Sequence, residues 1–187
     1  MTPGSTPRAE TLWLPARHGH QLATYHVFQG DTNHCGPSVA TMAVNFWHGK
    51  TVLDAQRTAH AMNWPRMGWG IPPLVIRRVP NWATFPWGIA DMLRRNGLQA
   101  RWRWLATETH IQEALAAGRI PMPIFGEPLR RRGWRPDGWG HVAVVVGWSP
   151  DRMWFVDSSE RTAPTSRPRA EFLRLWHNMG QLLVEGW

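Results

Sequence analysis

The sequence predicts an α+β fold of two lobes, a helical N-terminal lobe followed by a lobe built on an antiparallel sheet. The helical signals come early, and the strongest of them is the run 36–47. The most hydrophobic strand, 141–148, comes late and is joined to a second strand, 152–156, by the turn Ser149-Pro150-Asp151. A chain of 187 residues is long enough to bury one core. We therefore expect a single domain over residues 11–187, preceded by a flexible N-terminus, residues 1–10.

Local signals place the elements of the first half. Five prolines between residues 63 and 86 break any long helix there, so this stretch is predicted to be loop with one short helix, 74–78. Thr51 is the predicted N-cap of a helix reaching Ala61, and Gly97 is the predicted C-terminal stop of another. The predicted elements are a strand 21–28, helices 36–47, 52–61 and 88–96, and a strand 98–105.

The second half is predicted to be richer in strands. Thr109 and Gln112 have the spacing of a capping box, which starts a helix that stops at Gly118. The remaining predicted elements are a short strand 120–125, the strands 141–148 and 152–156, a helix 168–179 and a last strand 181–185.

Cys35 is the only cysteine and stands where a nucleophile is useful. Gly36-Pro37 and a helical run follow it, and proline is well tolerated in the first helical turn, so Cys35 should begin a helix. The unpaired N–H groups and the positive dipole end favour a thiolate there. Such sites lower a cysteine pKa from about 8.5 to roughly 3.5–7.5.

A thiolate needs a base, a group that orients the base, and oxyanion donors. His141 begins the late strand, and Asp157 follows the strand paired with it. Because the start of one hairpin strand lies beside the end of the next, His141 and Asp157 should meet, with the carboxylate fixing the imidazole tautomer. Gln29, across a Gly/Asp/Asn loop from Cys35, and the Cys35 N–H are candidate oxyanion donors.

These motifs resemble the papain-like cysteine peptidases, and more closely the double-glycine leader (bacteriocin-processing) peptidase domain and its stand-alone relatives. The resemblance rests on Gln29, on Cys35-Gly36-Pro37, on the run 140–147 and on Val156-Asp157, and it spans roughly residues 21–183. It implies a papain-like two-lobed fold, with the cleft between the lobes. It also implies that Cys35 is the nucleophile, His141 the base, Asp157 the third triad member and Gln29 the oxyanion glutamine. Ser38 departs from the family's alanine-like residue. We expect the stand-alone form, without the ATP-cassette and membrane-spanning regions of the transporter-linked form.

Structural interpretations of the same residues remain open. A lone cysteine is often a small buried hydrophobe, and Asp157 could open a turn with the serines that follow it. His34 is a competing base, ranked below His141 because adjacent residues of an extended loop point to opposite sides. A zinc site of Cys35, His34, His18 and His20 lacks the usual close ligand pairs. No metal and no cofactor is predicted.

The formal charge is +8, and the densest arginine cluster, 130–132 with Arg135, lies just before His141. It could attract an acidic partner or an anionic cell wall. Nucleic acid is not favoured, because no nucleic-acid-binding motif is present. Among the fourteen tryptophans, Trp69 and Trp139 are predicted, with Arg132, to contact substrate.

The sequence thus predicts a cysteine peptidase that hydrolyses a peptide or protein substrate. The alternatives are an amidase or acyl transferase on the same scaffold, such as a peptidoglycan-peptide hydrolase, and a non-catalytic peptide-binding module. No signal peptide or apolar run of about 18 residues is seen, so we expect a cytoplasmic protein, or one released without a standard signal.

Overall fold

The computed structural model describes residues 11–67, 74–132 and 135–187; for Arg66, 129–132 and 135–137 it describes the backbone alone. The helices are α1 (Cys35–His48), α2 (Ala55–Asn63), α3 (Pro86–Arg95), α4 (Glu108–Ala116) and α5 (Arg169–Asn178), and a short 3₁₀ helix covers Leu22–Tyr25. The strands are β1 (Leu12–Trp13), β2 (Arg66–Met67), β3 (Leu74–Val75), β4 (Arg78–Val79), β5 (Ala83–Thr84), β6 (Ala100–Arg103), β7 (Ile120–Arg132), β8 (Arg135–Val142), β9 (Val144–Trp148), β10 (Arg152–Val156), β11 (Thr165–Pro168) and β12 (Leu183–Gly186). Across the described ranges, no helix combines the length and apolarity that a membrane span requires.

Two four-stranded antiparallel sheets form the second lobe, in the orders β1-β9-β10-β11 and β6-β12-β7-β8. Strands β8 and β9 are separated only by Ala143, so one nearly continuous stretch of chain belongs to both sheets. The predicted hairpin is confirmed, since β9 pairs with β10 and Val156 lies opposite Val144. The chain around Ala143 therefore brings the end of β8 close to the end of β10.

Helix α1 is the centre of the first lobe. Every residue from Cys35 to Phe46 is buried, and the helix carries no aspartate, glutamate, lysine or arginine. It packs against α2, α3 and the end of β8. A helix apolar on all sides must be enclosed by other elements, which fixes Cys35 at the junction between the helices and the sheet.

Two predicted elements of the first half are wrong. Residues 21–28 form the 3₁₀ helix and an irregular segment instead of a strand. His26 Nε2 is hydrogen-bonded to the Asp157 carbonyl (2.9 Å), and the N–H of the next residue after the segment, Gln29, donates to the Ser158 carbonyl (2.8 Å). Residues 74–78 form strand β3 and the start of β4 rather than a short helix, because β3 pairs with β2 and β4 with β5. The first error arises from hydrogen bonds to a distant segment, and the second from pairing with strands nearby in the chain; local propensity reports neither.

Two helix starts were also placed wrongly. Thr51 does not cap α2; the cap is Asp54, whose carboxylate accepts the Arg57 N–H at 2.9 Å. The two backbone amides that follow Thr51 donate to Asn45 Oδ1, which keeps them outside the helix. The α4 capping box begins at Thr107, not Thr109. The predicted glycine stops are confirmed to within a residue of the helix ends, with Gly97 and Gly118 at positive φ.

Candidate active site

Cys35 is the first residue of α1, as predicted, and only 8% of it is exposed. Gly36 is required beside it because an added Cβ would lie 2.4 Å from the Cβ of Thr84 on β5. The helix therefore begins tightly against β5, with the sulfur close to the surface of the cleft.

His141 and Asp157 meet, as predicted, although His141 lies at the end of β8, before the break at Ala143, and not in the hairpin strand β9. His141 Nε2 lies 2.6 Å from Asp157 Oδ1. The same carboxylate oxygen accepts the Ser159 N–H at 2.8 Å and the Ser159 hydroxyl at 2.7 Å, and Asp157 is 1% exposed. Because Nε2 is held by the carboxylate, the other ring nitrogen, Nδ1, is the atom left for the Cys35 sulfur, with which the imidazole is hydrogen-bonded.

The charges of these three groups support one another. Burial alone would lower the pKa of His141, but hydrogen bonds and charges of Asp157 and Cys35 outweigh it and raise the pKa to about 9. Burial would raise the pKa of Cys35, but the hydrogen bond and charge of His141, with the amides of Val142 and Gly36, lower it. Burial is likewise outweighed at Asp157, whose pKa is lowered mainly by the His141 hydrogen bond. The site thus favours a thiolate beside an imidazolium and a carboxylate.

Gln29 is fixed by Ser158, the residue after Asp157. The Ser158 hydroxyl donates to Gln29 Oε1 at 2.9 Å, and the Gln29 N–H donates to the Ser158 carbonyl at 2.8 Å. Within the described residues the Gln29 side-chain amide makes no hydrogen bond as a donor. The side-chain N–H groups of Gln29 therefore remain available for another acceptor. Gln29 is not among the residues that line the cavity between the lobes.

A cavity of about 630 Å³ lies between the lobes, within the usual range for ligand pockets of roughly 300–1,000 Å³. Cys35 and His141 are in its wall. Its other lining residues include Thr84, Asn178 and two partly exposed tryptophans, Trp82 and Trp139. Of the three residues predicted to contact substrate, Trp139 thus faces the cavity. Trp69 and the side chain of Arg132, like those of the arginine cluster around it, lie outside the described part of the chain.

Several residues at the site were missed from the sequence. Ser158 could be interpreted only as a turn residue, because its bond joins it to Gln29, far away in the chain. Ser159 does form a local turn with Asp157, as the sequence allowed, but its two bonds to the carboxylate were not predicted. Arg78, which is buried and whose pKa is influenced by the charge of Cys35, falls at the end of the predicted short helix 74–78 and was not singled out. In the described residues, no three His, Cys, Asp or Glu side chains are grouped so that they could hold a metal ion.

The sequence model of the Peptidase_C39 like family matches residues 20–184. The chain belongs to this family. It is accordingly a cysteine peptidase, a hydrolase, and the resemblance to C39 leader peptidases is confirmed. The comparison with curated proteins returned no match.

Solved structures show the same fold as this C39-like chain. A Bacillus anthracis protein described as a C39-like peptidase superposes with a TM-score of 0.66 at 12% identity, covering 95% of this chain and 98% of that one. A double glycine motif protease from an AMS/PCAT transporter, in complex with the leader peptide, gives 0.55 at 14% identity, over 86% and 89%. The peptidase domain of Streptococcus ComA, a bifunctional ABC transporter involved in a quorum sensing pathway, gives 0.55 at 20% identity, over 87% and 97%. The predicted papain-like α+β fold is therefore confirmed.

Proposed function

We propose that this C39-like peptidase cleaves peptide bonds with Cys35 as nucleophile, His141 as acid and base, and Asp157 as the group that orients His141. The observation that carries the proposal is the 2.6 Å contact from His141 Nε2 to Asp157 Oδ1, with Cys35 hydrogen-bonded to the same imidazole. A buried carboxylate that orients an imidazole, and an imidazole that exchanges a proton with a thiol, are the groups that acyl transfer needs.

The first half of the reaction starts from the thiolate and the imidazolium. The Cys35 sulfur attacks the peptide carbonyl carbon, and the electron pair of the C=O bond moves to the oxygen. The C–N bond then breaks, and the leaving amine takes the proton from His141 Nδ1. The product is a thioester on Cys35, while Asp157 holds the Nε2 proton throughout.

The second half regenerates the enzyme. His141 Nδ1 removes a proton from a water molecule as the oxygen of that water attacks the thioester carbonyl. The C–S bond breaks, the acid product leaves, and the thiolate and imidazolium are restored. Each bond that breaks and each proton that moves is therefore accounted for by the substrate, water, Cys35 and His141, without a cofactor.

Gln29 and the Cys35 N–H are the proposed oxyanion donors. The N–H of the first residue of a helix has no partner inside the helix, and the Ser158 hydroxyl fixes the Gln29 amide by its oxygen, leaving the amide nitrogen as the donor. Losing one such donor typically reduces turnover by about 100- to 1000-fold. Gln29→Ala should therefore lose turnover by about that factor while Cys35 alkylation stays unchanged, and Gln99→Ala, at an exposed glutamine, is the control.

The proposed substrate is a peptide lying across the cavity between Trp82 and Trp139. The supporting observations are the partly exposed tryptophans on the cavity wall and the structural neighbour solved with a leader peptide. Aromatic side chains of this kind contribute large contact area to an extended chain.

The test compares the native protein with Cys35→Ala on two substrate sets, double-glycine leader peptides and purified bacterial sacculi. Cleaved products are identified by mass spectrometry. We expect cleavage of leader peptides by the native protein and none by Cys35→Ala, with the melting temperature retained. Release of cell-wall peptides alone would instead favour the amidase, and an unreactive Cys35 would refute both hydrolytic functions.

A further inference from the structure

A buried arginine close to Cys35 has no acidic partner. Arg78 is 3% exposed, and its guanidinium donates to the Asn33 carbonyl and to Asn63 Oδ1, both at 2.7 Å. Its Nε has no hydrogen-bond partner. Both acceptors are neutral, and among the described residues no carboxylate lies within ion-pairing distance of Arg78.

The adjacent arginine shows how the same lobe treats a buried charge elsewhere. Arg77 is also 3% exposed, but its guanidinium faces Asp91 at 3.5 Å. A buried charge without a counter-charge is costly, so it is normally paired. Arg78 therefore requires an anion that is not an aspartate or a glutamate.

The Cys35 thiolate is the candidate for that anion. The acceptor Asn33 is two residues before Cys35 in the same loop, so the guanidinium is tethered to the segment that leads into the nucleophile. The charge of Cys35 raises the pKa of Arg78 against a larger lowering by burial. The pKa of His34, which lies between Asn33 and Cys35 in sequence, is lowered by burial and then by Arg78, so His34 supplies no competing charge at neutral pH.

We propose that Arg78 is the fixed buried counter-charge of the Cys35 thiolate, a positioning residue that helps to maintain the nucleophile in its anionic form. This inference rests on the proposed function, in which Cys35 acts as a thiolate. Because Arg78 is almost fully enclosed, it does not bind substrate; it acts on substrate only through the sulfur.

The titratable and charged groups around Cys35 come from several parts of the chain. His141, from β8, is hydrogen-bonded to Cys35 and is itself held by Asp157 at the end of β10. Arg78, from β4, is bound to the Asn33 carbonyl in the segment before Cys35, which also contains His34. Of these, His141 loses its charge as the pH rises through about 9, whereas an arginine keeps its charge throughout. Arg78 should therefore keep a larger fraction of Cys35 ionised at low pH than the imidazole alone would.

The test is the pH dependence of Cys35 alkylation by iodoacetamide, which needs no peptide substrate. Arg78→Met removes the charge and keeps an apolar stem. We expect the alkylation midpoint to rise by about one pH unit, so that the rate at pH 6 falls about tenfold. Arg78→Lys, which retains a charge, should recover most of the rate.

Arg77→Met is the matched control, since it removes an equally buried arginine of the same strand region. It should lower the melting temperature but leave the alkylation midpoint unchanged. An unchanged midpoint in Arg78→Met, or an equal change in Arg77→Met, would overturn the proposal. If Arg78→Met does not fold, Arg78→Gln replaces it, because its amide still offers a donor to the Asn33 carbonyl without the charge.

The experiments distinguish a failure of this inference about Arg78 from a failure of the proposed peptidase function. A raised midpoint in Arg78→Met, together with no cleavage of any peptide by the native protein, would retain Arg78 as counter-charge and refute the peptidase mechanism. Peptide cleavage that depends on Cys35, together with an unaltered midpoint in Arg78→Met, would do the reverse.

Discussion

The charge of Asp157 can be removed with little change of shape by Asp157→Asn. The amide oxygen can still accept from His141 and from Ser159, which donate to the carboxylate at 2.6–2.8 Å. The substitution therefore tests the electrostatic contribution of the carboxylate more than its packing.

The magnitude follows from His141. A pKa of about 9 instead of 6.5 corresponds to roughly 3 kcal/mol in favour of the imidazolium. Asp157 and Cys35 both contribute; if the carboxylate supplies half, its loss removes about 1.5 kcal/mol, or about tenfold in the thiolate–imidazolium population. The sign is fixed, because a histidine whose pKa falls loses its proton at lower pH, and the thiolate then loses its partner.

The assay is iodoacetamide alkylation of Cys35 across pH 4–10, together with the pH profile of kcat/KM on a cleaved peptide. In Asp157→Asn, alkylation at pH 6 should fall about tenfold. The alkaline limb of kcat/KM should move from near 9 towards 6.5. Asp151→Asn, at an exposed turn position, should match the native protein. A native profile in Asp157→Asn would refute the electrostatic reasoning.

Three further substitutions test the surroundings of the site. Gly36→Ala places a Cβ 2.4 Å from Thr84, so chemical denaturation should show about 1–3 kcal/mol of lost stability; native stability would contradict that contact. Ser158→Ala removes the bond to Gln29 Oε1, worth about 1 kcal/mol, so kcat should fall about fivefold with alkylation unchanged, and an unaltered kcat would show that Gln29 needs no such support. Glu185→Gln leaves three arginines around a fully buried neutral group, so the free energy of unfolding should fall by about 3 kcal/mol; a loss below about 0.5 kcal/mol would show that the network contributes little.

The parts of the fold that local sequence encodes were predictable. Helix α1 was found because Gly36-Pro37 and an apolar run mark its start, and the ends of α3 and α4 were found because Gly97 and Gly118 adopt the left-handed backbone that favours glycine. The meeting of His141 and Asp157 was predictable for a related reason. A short turn between two hydrophobic strands fixes their register, and register places side chains together.

The rest depends on contacts between distant segments. Residues 21–28 look like a strand, but the His26 side chain binds the Asp157 carbonyl and the adjoining Gln29 N–H binds the Ser158 carbonyl, contacts that no local pattern indicates. Arg78 ends the short helix predicted over residues 74–78, and only its burial beside Asn33 and Asn63 shows that its charge belongs to the interior. The sequence alone did not reveal which polar groups of this site become buried through contacts with distant segments of the chain.

The most direct test of the mechanism is to trap the covalent intermediate. The native protein is mixed with a peptide that it cleaves, quenched in acid within the first turnover, and mapped by mass spectrometry. We predict a mass addition on the peptide containing Cys35 equal to the N-terminal part of the substrate, and its absence in Cys35→Ala. Cleavage that continues in Cys35→Ala, or an acyl group on another residue, would contradict nucleophilic attack by Cys35.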